Sequence, residues 1–313
     1  MKTLIIGGTG HTGTNLTRML IQDGQDVTVM SSGRTPHPEG DCYDQVKYIT
    51  MEYSESLQDG SFAAMLSDER PDAVVDILQG DIGAVYSASR EAGVSHVVAC
   101  GSIWMFGRPK VVPTPEVTQT ECPFEGYQRR YNQLLQTLEL SKNEEVAFTA
   151  VMPPNICGPG KIPLEGMGGR SLEVHQAHQR GEEVTLPYPG TNLIGPCDAE
   201  DVARGFFCAV KNREKAAGNI FNVGSAYALT AERFIATYGE IYNTTIPIKY
   251  VSAQTYMTEV SPDIGAHFHL LEHMCPDISK ISSQLGYQPR YTPEETMERA
   301  VRWMFDTGLL KSS

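Results

Sequence analysis

Short apolar runs alternate with amphipathic segments through the first half of the chain. The runs are flanked by turn residues and predict buried β-strands over Thr3–Ile6, Val27–Met30, Val46–Ile49, Ala73–Ile77, Val94–Ala99 and Ala147–Met152. Apolar positions at helical spacing lie between them and predict helices over Gly13–Asp23, Phe62–Arg70, Ile82–Ala92 and Tyr127–Lys142. Strands that alternate with helices form a parallel sheet covered on both faces. The sequence therefore predicts an α/β fold with a doubly wound parallel sheet, whose ligands bind at the carboxyl ends of the strands.

The pattern changes after Met152, because proline and glycine are frequent over residues 153–169. That composition excludes a long helix or a central strand in this stretch. Later segments predict helices over Ser171–Arg180, Ala199–Lys211, Ala231–Tyr242, Asp277–Leu285 and Thr292–Phe305, and strands over Ile220–Val223 and Ile246–Val251. We interpret the chain as a larger doubly wound domain of residues 1–154 plus 196–224, a smaller α/β lobe of residues 155–195 plus 225–290, and a C-terminal helix within 291–313.

The chain has 313 residues, of which 41% are hydrophobic and 20% are charged, as is typical of a globular protein. Its net charge of −13 argues against nucleic-acid binding, because nucleic-acid phosphates would be repelled. No apolar run approaches the ~20 residues that a membrane span needs, and the first run ends at glycines, which favours a buried strand over a signal peptide. The seven cysteines are scattered, with no Cys-x-x-Cys pair, which indicates reduced thiols and a cytoplasmic protein.

A glycine-rich loop, Gly7-Gly8-Thr9-Gly10-His11-Thr12-Gly13, joins the first predicted strand to the first predicted helix. Glycines there allow a tight turn, close approach of a pyrophosphate, and close packing of the helix on the strand. The following helix would direct its N-terminal amides toward an anion. This arrangement predicts a dinucleotide site, with cofactor-binding residues Gly7, Thr9, Gly10, His11, Thr12 and Gly13. The larger domain is therefore predicted to be an NAD(P)-binding Rossmann domain, and the smaller lobe to bind the substrate.

The end of the second strand predicts which nicotinamide cofactor binds. A carboxylate there would accept hydrogen bonds from the adenosine ribose and would disfavour a 2′-phosphate. The chain instead has Ser31, Ser32 and Arg34, whose donors suit a phosphate monoester, so NADP is favoured and NAD is the second choice. A solvated surface arginine is the alternative interpretation of Arg34. The carboxyl ends of the fourth and sixth strands add Leu78, Gln79 and Pro153 to the predicted cofactor site.

Two polar residues follow the fifth strand: Ser102 comes directly after it, and Tyr127 opens the next helix. Further motifs are Pro154-Asn155-Ile156-Cys157-Gly158-Pro159-Gly160, Asp201-Val202-Ala203, Asp277-Ile278-Ser279-Lys280 and Leu285-Gly286-Tyr287-Gln288-Pro289. In this order, and with the glycine loop, they resemble the extended short-chain dehydrogenase/reductase superfamily and, within it, the NAD-dependent epimerase/dehydratase family. The resemblance covers nearly the whole chain. It implies hydride transfer between nicotinamide and a carbinol or carbonyl substrate, for which nucleotide sugars are the usual class.

The resemblance also implies roles for individual residues. Tyr127 would exchange the proton of the substrate hydroxyl, and Ser102 would position its oxygen. The family has a lysine four residues after the tyrosine, but this chain has Tyr131 there. Arg130 is the candidate for supplying the missing positive charge, with a solvated helix residue as the alternative. Candidate substrate contacts are Trp104, Asn155 and His269.

The departure at Tyr131 leaves a second function open. Altered residues around Ser102 and Cys157 add to it, and together they resemble the atypical short-chain dehydrogenases, which keep the cofactor fold without the standard catalytic residues. The alternative function is therefore a protein that binds NAD(P) without redox turnover, as a sensor or an interaction partner.

Two expectations concern metals and partners. His269 and His273 are predicted to lie one helical turn apart, but the sequence offers no clear third zinc ligand, so no metal site is predicted. The predicted partner is a small-molecule substrate, with no nucleic acid and no membrane. A homodimer could form through the helix that carries Tyr127, although its leucines could equally face the core; they are Leu134, Leu135 and Leu138.

Overall fold

A computed structural model describes residues 1–40 and 42–311, in which a central sheet of seven strands dominates the fold. The strands along the chain are β1 Lys2–Ile6, β2 Asp26–Ser31, β3 Lys47–Thr50, β4 Ala73–Asp76, β5 His96–Cys100, β6 Ala147–Met152, β7 Asn155–Cys157, β8 Val184–Pro187, β9 Leu193–Ile194, β10 Pro196–Asp198, β11 Asn219–Asn222, β12 Leu229–Thr230 and β13 Ile248–Val251. The central sheet has the order β11-β6-β5-β4-β1-β2-β3, and every pairing in it is parallel. Two-stranded pairs join β7 to β10, β9 to β12 and β8 to β13.

Helices connect the strands and cover the central sheet. They are α1 His11–Gln22, α2 Tyr53–Asp59, α3 Ser61–Glu69, α4 Ile82–Glu91, α5 Glu125–Ser141, α6 Leu172–Gln179, α7 Ala199–Lys211, α8 Arg213–Ala216, α9 Ala231–Tyr242, α10 Ala253–Thr255, α11 Ile264–Leu271, α12 Ser279–Leu285 and α13 Pro293–Asp306. Short 3-10 turns cover Tyr43–Gln45 and Ile103–Phe106, and a π-helical turn covers Tyr256–Val260. No helix within the described ranges is long and apolar enough to cross a membrane.

Two apolar layers enclose the sheet, one on each face. The first contains residues of α3, α4 and α5, among them Phe62, Tyr86 and Leu134. The second contains residues of α1 and α7, among them Leu20 and Phe206. Because both faces are covered, β4 and β5 are buried along their whole length and show no polar alternation.

A third apolar cluster lies among the elements that follow β6. It joins β8, α9 and α13 through side chains such as Leu186, Tyr238 and Met304. The chain returns to the central sheet at β11, which lies beside β6 with Asn219 opposite Thr149.

The doubly wound α/β sheet predicted from the sequence is confirmed, and the differences are local. Helix α2 was not predicted because its only buried side chain is Ser56, so it has no apolar stripe. The segment 153–169 contains the three-residue strand β7, which pairs outside the central sheet. Helix α11 ends at Leu271, so the expectation that His269 and His273 lie one turn apart on a single helix is wrong.

Candidate active site

The carboxyl edge of the sheet brings the predicted site residues together. Strand order runs outward in opposite directions from the neighbours β1 and β4, and this reversal opens a crevice at their carboxyl ends. The glycine loop follows β1, Leu78 and Gln79 follow β4, Ser102 follows β5, and Pro153 follows β6. Four adjacent strands therefore deliver predicted cofactor and catalytic residues to the same edge.

The glycine loop is packed too tightly for side chains. Gly7 has φ +84°, a left-handed conformation that favours glycine. A Cβ on Gly8 would lie 2.6 Å from Cγ2 of Val29, and one on Gly13 would collide with the carbonyl oxygen of Gly7. A Cβ on Gly10 would meet only the Gly7 oxygen at 3.5 Å. The loop thus holds α1 against the sheet and leaves the side at Gly10 open to a ligand.

The N-terminus of α1 is suited to an anion. Its N-cap residue Gly10 supplies no side-chain cap, so the first amides of the helix remain available as donors. His11 Nε2 and Thr12 Oγ1 are buried without a hydrogen-bond partner among the described residues. Burial, together with the charges of Lys161 and Arg170, lowers the pKa of His11 to about 4, so its imidazole is neutral at pH 7. These unsatisfied groups fit the pyrophosphate of a dinucleotide.

The residues after β4 line the neighbouring part of the crevice. Leu78 is half exposed and lies over Gly7, whose hypothetical Cβ would be 2.7 Å from Leu78 Cδ2. Gln79 adopts φ +56° and donates from Nε2 to the carbonyl oxygen of Gly101 at 2.6 Å. Gln79 therefore links the ends of β4 and β5, next to Ser102.

The end of β2 carries a positive charge that is partly neutralised. Nη2 of Arg34 lies 2.8 Å from Oε1 of Glu52, and these side chains are 77% and 44% exposed. Glu52 follows β3, which pairs with β2 so that Ser31 lies opposite Thr50. Sequence reasoning missed Glu52, although its place just beyond the carboxyl end of a strand was a usable signal.

Ser102 and Tyr127 form the predicted catalytic pair. Burial raises the pKa of Tyr127, while the nearby charge of Arg130 and a hydrogen bond with Ser102 act in the opposite direction. Cζ of Arg130 lies 6.0 Å from the centre of the Tyr127 ring. The structure therefore brings all three predicted catalytic residues together and leaves the phenol protonated at neutral pH.

Tyr131 occupies the position of the family's lysine but belongs to the core. It is 2% exposed, its ring meets Phe106 edge-on at 5.8 Å, and its hydroxyl lies 3.1 Å from Oγ1 of Thr118. The side chain fills apolar space and has its own hydrogen-bond partner. It supplies no charge to Tyr127.

The predicted substrate contacts surround Tyr127 with aromatic rings. Trp104 stacks on Phe124 at 5.0 Å, meets Tyr127 edge-on at 6.2 Å, and lies 4.4 Å from the His269 ring. Burial, and then the charge of Arg170, lower the pKa of His269 to about 3. Trp104 Nε1 and His269 Nδ1 are buried and have no partner within residues 1–40 and 42–311.

Other candidates lie at the margins of this site. Oδ1 of Asn155 accepts a hydrogen bond from Arg170 Nη2 at 2.6 Å, and its Nδ2 is buried without a partner in the described part of the chain. His273 lies apart, with its Nδ1 accepting a hydrogen bond from the amide of Leu193 at 3.1 Å. Within that part of the chain, no three His, Cys, Asp or Glu side chains are grouped to hold a metal ion.

The model of the NAD-dependent epimerase/dehydratase family matches residues 3–86 and 83–224. The chain belongs to this family. A UDP-glucose 4-epimerase of Lactobacillus helveticus is 22% identical over 334 residues, which cover 97% of each chain. The chloroplast stem-loop binding protein of 41 kDa b of Arabidopsis thaliana is 25% identical over 240 residues, covering 73% of this chain and 60% of that one.

Solved structures share the fold. The UDP-glucose 4-epimerase of Stenotrophomonas maltophila, with bound NAD and formylated UDP-arabinopyranose, superposes with a TM-score of 0.76 at 17% identity and covers 99% of both chains. The sequence-based family assignment is confirmed, and NAD is the dinucleotide bound by this neighbour.

Proposed function

We propose that this member of the epimerase/dehydratase family is an NAD(P)-dependent enzyme acting on the carbinol or carbonyl carbon of a nucleotide sugar. The observation that carries the proposal is the hydrogen-bonded Ser102–Tyr127 pair beside the glycine loop, at the carboxyl edge of the sheet. The substrate class is suggested by the UDP-glucose 4-epimerase relative, which aligns over 97% of this chain.

The cofactor would be held mainly by the glycine loop. The free amides at the start of α1, with His11 and Thr12, would bind its pyrophosphate, and Leu78, Gln79 and Pro153 would border its nicotinamide end. When bound, the nicotinamide supplies the hydride acceptor or donor. The protein contributes the orientation of the ring and the exclusion of water by the aromatic cluster around Trp104.

Tyr127 would act as a proton donor to the substrate oxygen. Its raised pKa keeps the hydroxyl protonated at neutral pH, so it can give a proton to a carbonyl oxygen that is being reduced. Ser102, hydrogen-bonded to Tyr127, would hold that oxygen in place. The Arg130 charge, 6.0 Å from the ring, would stabilise the phenolate left after proton transfer until it is reprotonated.

We further propose that NADP is preferred over NAD. The support is the absence of a carboxylate at the end of β2 and the presence there of Ser31, Ser32 and Arg34. Glu52 opposes the preference because it competes with a phosphate for Arg34.

The proposed partner is a small molecule, since the net charge of −13 disfavours nucleic acid. A homodimer through α5 would use Leu135 and Leu140, which are exposed, because Leu134 is buried and Leu138 packs against the core. Light scattering on the purified protein tests this arrangement, and a monomeric mass would contradict it.

The test of the enzymatic function is Tyr127→Phe. Purified protein is supplied with NAD(P)⁺ and UDP-glucose or UDP-glucuronic acid, and product sugars are separated by chromatography. Loss of a general acid is expected to lower kcat by about 100- to 10,000-fold while NADH binding stays unchanged. The matched control is Tyr131→Phe, which removes a hydroxyl from the same helix and should retain activity.

Two results would contradict this reasoning. An unchanged rate in Tyr127→Phe would remove Tyr127 from the reaction. Dinucleotide binding without turnover of any offered sugar would instead favour the alternative of a binding protein.

A further inference from the structure

A group of basic side chains lies where the loop after β7 meets the start of α1. Gly160 has φ +97°, and a Cβ built there would lie 2.8 Å from Cβ of His11, so this loop packs directly on α1. Lys161 follows, and Arg170 lies close enough for its charge to act on both His11 and Lys161. We call Lys161, Arg170 and Asn155 the basic subsite.

Arg170 is held in place entirely by neutral oxygen atoms. Nη1 donates to the Ile162 carbonyl at 2.6 Å, and Nη2 donates to Asn155 Oδ1 at 2.6 Å and to the Ile156 carbonyl at 2.9 Å. These bonds fix the guanidinium plane and leave other N–H groups free, since a guanidinium has five. Arg170 is therefore oriented by the protein without being neutralised.

No carboxylate in the described part of the chain forms an ion pair with Arg170 or Lys161. The acid whose charge reaches Arg170 is Glu165, but its carboxylate accepts hydrogen bonds from the backbone amides of Met167, Gly169 and Ser171. Burial lowers the pKa of Arg170, and burial with the neighbouring Arg170 charge lowers that of Lys161. Crowded, partly desolvated positive charges are unfavourable until an anion compensates them.

A second observation points to a ligand at the same place. Asn155 is 4% exposed, its Oδ1 binds Arg170, and its Nδ2 is buried with no partner in the described ranges. Buried amide donors are normally satisfied, so an unpaired one beside an unpaired guanidinium indicates an oxygen-bearing group.

We propose that the basic subsite binds the anionic group, phosphate or carboxylate, of the substrate. The inference rests on the proposed function, because the charge of Arg170 also reaches His269, which packs on Trp104 beside Tyr127. The hydrogen bonds that orient Arg170 come from β7 and the loop after it, and none comes from the glycine loop. This favours the substrate over the cofactor as the source of the anion.

The test measures anion binding by calorimetry on protein saturated with NADH. Inorganic pyrophosphate and malonate serve as phosphate and carboxylate probes. Loss of a charge-assisted hydrogen bond is expected to weaken binding of the responding probe by about 10- to 100-fold in Arg170→Gln. Lys161→Gln, which alters no recorded hydrogen bond, should weaken binding without affecting thermal stability. The matched control is Lys249→Gln, an exposed lysine on β13.

Each outcome decides between the sources of the anion. Probe binding that persists with NADH and is lost in Arg170→Gln and Lys161→Gln supports the proposal. Probe binding that NADH abolishes, with weaker NADH affinity in Arg170→Gln, assigns the subsite to the cofactor and overturns it. Equal binding by all variants, or equal losses in the Lys249→Gln control, also overturns it. Absence of sugar turnover alongside intact probe binding would refute the proposed function and leave the subsite standing.

Discussion

Replacing Arg34 with alanine is expected to reduce the preference of the protein for NADPH over NADH. Arg34 is 77% exposed and pairs with Glu52 at 2.8 Å. An exposed ion pair contributes only ~0.2–1 kcal/mol, so the guanidinium can exchange Glu52 for a phosphate. A hydrogen bond to a charged group contributes ~1.5–3 kcal/mol, which corresponds to a loss of about 10- to 150-fold in NADPH affinity. NADH has no 2′-phosphate, so its affinity should change little.

Glu52→Gln tests the same interaction from the opposite side. Removing the competing carboxylate frees Arg34 and should raise the NADPH/NADH affinity ratio by up to about fivefold, the value of the exposed pair. Opposite changes in the two variants would tie the preference to this pair.

The assay is a fluorescence titration of purified protein with each reduced dinucleotide at one fixed low salt concentration. The matched control is Arg302→Ala, which removes an exposed arginine paired with Glu298 at 2.7 Å on α13. A ratio that is unaltered in both Arg34→Ala and Glu52→Gln would refute the assignment of Arg34 to the 2′-phosphate. NAD would then be the cofactor, as in the structural neighbour that binds it.

Two further predictions concern the glycine loop and acid stability. Gly13→Ala should cost about 1–3 kcal/mol of unfolding free energy and weaken NADH binding, because its Cβ would collide with Gly7 backbone that cannot move aside; urea unfolding and fluorescence titration measure the two effects. Burial lowers the pKa of His96 to about 4, so the unfolded chain takes up a proton first, and this stability is present above pH 6.5 and lost as the pH falls toward 4. His96→Gln should therefore reduce the loss of unfolding free energy between pH 7 and pH 4.5 by about 2 kcal/mol, measured by urea unfolding at both pH values.

Controls separate these effects from general damage. Gly126, in α5, has open space around its Cα, so Gly126→Ala should be neutral or stabilising. Equal losses at Gly13 and Gly126 would contradict the packing argument. A His96→Gln variant with an unchanged pH dependence would show that His96 does not contribute to acid unfolding.

The sequence predicted the fold because its signals are local. Apolar runs, amphipathic spacing and turn residues act within one element, and their alternation is enough to specify a doubly wound sheet. Ser102 and Tyr127 were also within reach, since each lies at the end of a predicted element. Helix α2 was missed because it buries only Ser56 and therefore has no periodic signal.

Contacts between distant residues depended on the tertiary structure. Glu52 meets Arg34 only because β2 and β3 pair in parallel, and Asn155 meets Arg170 only because the loop after β7 folds back. Tyr131 could have faced the cleft or the core, and packing against Phe106 placed it in the core. The sequence by itself determined the sheet, the glycine loop and the order of the catalytic residues, because neighbours along the chain specify them. The tertiary structure decided which charges are paired and which stay available to a ligand, because pairing depends on distances across the fold.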